Sequence, residues 1–102
     1  LDRLMGNRKA AQRVIHTFLE DAPRRFTNLQ AALDQGNTAS ASRELHTLKG
    51  ASAALGGEAL RAQAAELEVC AKAGEWSELR AGLPSLEREI ERLGRALEAW
   101  VP

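Results

Sequence analysis

Apolar residues recur along this chain at spacings of three and four, and the recurrence breaks at Gly36, at Gly56-Gly57 and at Gly74. That period belongs to one face of an α-helix. The first stripe runs through Ile15, Phe18, Ala22, Phe26, Leu29 and Leu33, with Asn7 as candidate N-cap and Gly36 as candidate C′ residue. Pro23 lies inside it, lacks a backbone N–H, and is expected to kink this long helix or divide it in two. A second helix starts at Asn37 or Thr38 and carries Ala41, Leu45, Leu48, Ser52 and Leu55. The third, near Glu58 to Ala73, places Leu60, Ala64, Leu67 and Ala71 on one face. The fourth begins around Glu75 and carries Leu79, Leu83, Leu86, Ile90, Leu93 and Leu97 toward Trp100. Pro84 predicts either a kink there or a separate first turn or two over Trp76 to Ala81.

Three short connections force successive helices side by side and antiparallel. No segment alternates apolar and polar residues at the period of two that a half-buried strand needs. The fold class is therefore all-α, an antiparallel up-down-up-down four-helix bundle, with Leu1 to Met5 as a short N-terminal lid helix over one end. The whole chain, 1–102, reads as one domain, because 102 residues leave room for one core and no second module with a nucleotide or substrate site.

Composition narrows the function classes. Fourteen basic and fourteen acidic side chains cancel, so the long-range field that draws a protein onto nucleic acid or an anionic membrane is weak. Neither is expected as a partner. The single cysteine, Cys70, excludes an intramolecular disulfide and any multi-cysteine metal site, and reads as a small buried apolar residue in a reducing, cytoplasmic setting. Apolar runs are only a few residues long, far short of the roughly 20 that span a bilayer, and no signal peptide is visible. A start at Leu1 rather than Met fits an excised piece of a longer protein, whose parent could still be anchored in the inner membrane.

The segment Leu45-His46-Thr47-Leu48-Lys49-Gly50-Ala51-Ser52 divides cleanly by helical angle. At about 100° per residue, Ser42, His46, Lys49, Gly50 and Ala53 share one face, turned roughly 120° from the Leu45, Leu48, Leu55 stripe. His46 is thus expected exposed and Leu45 buried. A glycine inside a helix costs about 1 kcal/mol relative to alanine, so Gly50, one turn from His46, suggests that something needs the missing Cβ. Lys49 lies within reach of whatever the imidazole carries, and imidazole is a good nucleophile near neutral pH. Together they make a phosphoryl-accepting site without a nucleotide pocket.

These residues, His46-Thr47-Leu48-Lys49-Gly50 with Ser52, Leu55-Gly56, Leu60, Ala64 and Leu67-Glu68 following, resemble the signature of the histidine phosphotransfer (HPt) domain. The similarity extends upstream through Phe18-Leu19-Glu20-Asp21 to Gly36 and downstream through Ala73-Gly74-Glu75. The resemblance implies that His46 is the phospho-acceptor, that Lys49 steadies the phosphoryl group, and that Gly50 gives steric clearance for a receiver domain. Ser42, Ala53 and Glu68 are the candidate partner-binding residues, Glu68 standing where relatives often carry glutamine. It further implies a phosphorelay intermediate, monomeric as an isolated domain, that takes a phosphoryl group from the phospho-aspartate of one receiver and gives it to the aspartate of another. It implies as well that the domain itself binds no cofactor and that the receiver supplies Mg²⁺ and its own lysine. The parent would be a hybrid sensor histidine kinase carrying this as its C-terminal module, or the chain a free-standing shuttle.

Gly56-Gly57 lacks a Walker lysine and the spacing that cradles phosphates, so ATP-dependent kinase activity is not expected. A structural or adaptor bundle would explain the stripes and turns equally well, but not Gly50 beside an exposed histidine. A metal-dependent enzyme is disfavoured, since His16 and His46 are the only histidines and lack metal-ligand spacing. His16, flanked by Ile15 and Phe18, falls beside the first apolar stripe with no lysine-glycine pair after it and reads as structural. Arg24-Arg25 reads as a solvated face.

Overall fold

The computed structural model describes residues 8–100, which form four helices: α1 Arg8–Asp34, α2 Thr38–Ala54, α3 Glu58–Lys72 and α4 Trp76–Trp100. The N-cap expected at Asn7 and the lid expected over Leu1 to Met5 lie outside the described residues. Each helix packs against its two neighbours around a closed square, α1 on α2, α2 on α3, α3 on α4 and α4 on α1. The result is a rod of 41 × 20 × 19 Å. A 27-residue helix is itself about 40 Å long, so α1 sets the length.

All three connections use one device. Gly36, Gly56 and Gly74 adopt φ of 64°, 73° and 72°, the left-handed region that only glycine enters without penalty. In each case the next residue's N–H reaches back to a helical carbonyl: Asn37 to Ala32 at 2.8 Å, Gly57 to Ser52 at 2.8 Å, and Glu75 to Cys70 at 2.9 Å. The glycine N–H bonds Leu33, Ala53 or Ala71 at 3.1 to 3.2 Å, which completes a Schellman motif. Asn37 then caps α2 directly, its Oδ1 accepting the Ser40 N–H at 3.0 Å. One residue thus closes one helix and opens the next.

The stripes expected on α1, α2 and α3 are all buried, and on α4 Leu79, Leu86, Ile90 and Leu97 are buried while Leu83 and Leu93 are half-buried. Neither proline divides its helix: α1 runs unbroken through Pro23 and α4 through Pro84. Both rings are exposed, on the outer side of the bundle.

Two expectations at single residues are corrected. Arg25 is half-buried rather than solvated, its Nη1 2.8 Å from Glu44 Oε1 on α2 and its Nε 2.7 Å from Asp21 Oδ2. Arg24, which also pairs with Asp21, is the exposed member. Arg24 foremost, with Arg25, holds the Asp21 carboxyl below its ordinary range against the upward push of burial. Cys70 is half-buried against the core rather than enclosed in it. Burial, reinforced by Glu75, Glu66 and Glu78, pushes its thiol up and away from the reactive thiolate.

Candidate functional site

The geometry of α2 follows from its core stripe. Leu45 and Leu48 are 0% and 2% exposed, so the intervening angle turns the His46 side chain outward, 69% exposed. Gly50 and Ala53 are exposed on the same face, and Ser42 is half-buried one turn before the histidine. A Cβ built on Gly50 would meet nothing within 4 Å. The missing side chain is therefore not required for packing inside the bundle.

Glu68 occupies a different place from the one expected of a partner-binding residue. It follows Ala64 by one turn on the buried face of α3 and is 3% exposed, beneath the His46 face rather than on it. Its Oε2 lies 3.2 Å from His46 Nδ1, and its Oε1 lies 2.7 Å from Lys49 Nζ. Lys72, one turn further along α3, brings its Nζ to 3.2 Å from Oε2. Burial works to raise the Glu68 carboxyl, but the two ammonium groups outweigh it and hold it at about 2. The carboxylate is ionised at neutral pH and can only accept hydrogen bonds. His46 must then turn a protonated Nδ1 toward it, leaving the Nε2 lone pair directed away from Glu68.

Lys49 is thus held by Glu68, one turn from the imidazole, and its side chain is a third exposed. Lys72 was not singled out in the sequence, although Glu68-x-x-x-Lys72 has the order and spacing of a favourable helical ion pair. His16 is exposed on α1 and touches none of these groups.

An apolar groove of about 250 Å³ between α1 and α2 is lined by Val14, Phe18, Arg25, Leu48, Ala51 and Leu55 among others, but by none of His46, Lys49, Gly50 or Glu68. The His46 imidazole stands exposed on a different face of α2. Among the described residues no group of three or more His, Cys, Asp or Glu is placed to hold a metal ion. The one carboxylate beside His46 already carries two ammonium groups, a donor set that does not suit a cation.

The fold is thus a small helical bundle with an exposed histidine on one helix face, beside Lys49 and Gly50. The Hpt domain family matches residues 13–96, and the chain belongs to that family. Hpt domains are phosphotransfer modules of two-component phosphorelays and act with receiver domains. No curated protein and no solved structure matches the chain. Among the described residues no helix is long and apolar enough to cross a membrane.

Proposed function

We propose that His46 Nε2 accepts a phosphoryl group from the phospho-aspartate of one receiver domain and passes it to the aspartate of another. The observation that carries this reading is the pairing of an exposed imidazole, its Nδ1 held from below, with the empty space over Gly50. In-line transfer needs donor oxygen, phosphorus and acceptor nitrogen roughly collinear, with charge on the equatorial oxygens neutralised. Gly50 leaves the approach clear, and Lys49, paired with Glu68 and partly exposed one turn away, supplies positive charge beside the imidazole. The receiver brings Mg²⁺ in its own acidic pocket. No ATP-dependent kinase activity is assigned to this domain. It acts as a monomer on the cytoplasmic side, as the C-terminal module of a hybrid sensor kinase or as a free shuttle. Val69 as the one large exposed hydrophobic side chain among the described residues supports the monomer.

The test is a transfer assay against a panel of phosphorylated receivers. Wild type is expected to take up label that is lost in acid and retained in base, and His46→Gln to take up none. The substitution is expected to leave the stability within about 0.5 kcal/mol, since the site is exposed. Label that persists in the variant, or survives acid, overturns the assignment.

A further inference from the structure

Lys72 is a charged neighbour of the site that the transfer scheme above does not use. We infer that it is a positioning residue: it stays on the buried Glu68 carboxylate as standing counter-ion, so that Lys49 can change partners when a phosphoryl group reaches His46 Nε2. The inference rests on the reading of His46 as the phosphoryl carrier.

The two ammonium groups on Glu68 are not equivalent. Lys49 comes from α2 and holds Oε1 at 2.7 Å, whereas Lys72 comes from α3 and lies 3.2 Å from Oε2, the oxygen that also meets His46 Nδ1. Lys72 shares a helix with the carboxylate and follows it by four residues, in the order that favours a helical ion pair. Lys49 shares a helix with the imidazole and follows it by three residues. Helical side chains lean toward the N-terminus, which carries the Lys49 ammonium back over the His46 turn. Among the described residues no other cation pairs with Glu68: Arg25 is taken up by Asp21 and Glu44, Arg61 by Glu58, and Arg80 by Asp34.

Charge balance gives the arrangement its use. With His46 unmodified, one carboxylate faces two ammonium groups, and the cluster carries a positive charge in excess. A phosphoryl group on Nε2 brings about two negative charges on its oxygens, while the ring, with hydrogen on Nδ1 and phosphorus on Nε2, carries one positive charge. The modified histidine is then a net anion, and two anions face two ammonium groups. Lys49 moves to the phosphoryl oxygens, Lys72 keeps Glu68, and each anion has a partner. Without Lys72 both anions compete for Lys49. The carboxylate has the stronger claim on it, because a side chain only 4% exposed has little water to replace a lost partner. The phosphoryl oxygens then keep more of their charge, and an incoming aspartate carboxylate meets greater repulsion.

The test is single-turnover transfer from the phosphorylated chain to a Mg²⁺-loaded receiver, one from the panel above that exchanges phosphoryl groups with wild type. The receiver is held at saturating concentration, which removes differences in docking. Phosphoramidate loads His46, its N–P bond breaking as ammonia leaves. Wild type is compared with Lys72→Met, Lys72→Arg, Glu68→Gln and the double variant Glu68→Gln/Lys72→Met. Lys72 is 65% exposed and Gln preserves the volume of the buried Glu68, so each chain is expected to fold, which circular dichroism checks. Lys72→Met is expected to slow transfer by about threefold to fivefold, the size of a part-exposed ion pair, and Lys72→Arg to retain most of the rate. In the Glu68→Gln background no buried charge holds Lys49 back, and Lys72→Met is expected to make no further difference. An ion pair that only stabilised α3 would move the melting temperature and not the rate. An unchanged rate in Lys72→Met therefore overturns the inference. Equal slowing in both backgrounds overturns it too, since Lys72 would then act on the phosphoryl group or the receiver directly. Both results leave the carrier reading intact. A wild-type chain that takes up no phosphoryl group overturns the carrier reading, and the role of Lys72 with it.

Discussion

Gly50 separates two demands that the His46 face places on α2, helix stability and open approach. Since a Cβ there meets nothing, Gly50→Ala is expected to stabilise the helix by up to about 1 kcal/mol through backbone entropy and propensity. Gly50→Gln is expected to fold equally well yet project over the turn where a receiver's loops reach the imidazole, with marked loss of transfer. A thermal melt and a transfer assay on the same variant check both halves; a strong drop in melting temperature would mean that the glycine is there for packing. Glu68 carries a pH signature of its own. Its folded value of about 2 lies below the ordinary 4.5, so the fold prefers the ionised form. The stability from its ion pairs is therefore complete above the ordinary value and is lost as pH falls through about 2. Wild type is expected to lose about 2–3 kcal/mol more than Glu68→Gln over that window, solvent screening at the exposed Lys72 setting the lower end. Urea melts at neutral and acidic pH measure the difference.

Between elements, polar contacts fix how neighbouring helices sit. Glu44 is 9% exposed on α2 and meets Arg25 and Asn28 of α1, while Arg80 of α4 donates to the Leu33 carbonyl at the end of α1 at 3.2 Å. Arg25→Ala is expected to cost about 1–3 kcal/mol, because it leaves the Glu44 carboxylate with only the longer Asn28 contact, at 3.4 Å. Arg24→Ala, at a position 72% exposed, is expected to stay within about 0.5 kcal/mol. Equal stabilities for the two variants in a urea titration would mean that Arg25 belongs to the solvated face after all. The three connections between the helices were legible in the sequence because each is written locally, in a glycine that enters the left-handed region, with Asn37 as a cap beside the first. The unbroken passage through Pro23 and Pro84 was not, because it depends on which side of the finished bundle the ring faces.

At the scale of the whole molecule, the described residues form a rod with the exposed imidazole of His46 on its side. The core holds α2 and α3 in a register that sets the buried Glu68 beside His46. On the proposed reading the receiver brings the metal ion and the second reacting group, so a chain of 102 residues needs to supply only the imidazole and its surroundings.

The sequence by itself determined the all-α class, the antiparallel order, the core stripes and the outward turn of His46, Lys49 and Gly50, because helical period and turn chemistry act over a few residues. It also marked Glu68 as a position of interest. Only the tertiary structure decided that Glu68 is buried, that it gathers Lys49, Lys72 and His46 Nδ1 about one carboxylate, and that Arg25 reaches across to Glu44. Those contacts join residues on different helices, and their distances are fixed by how closely and in what register the helices pack.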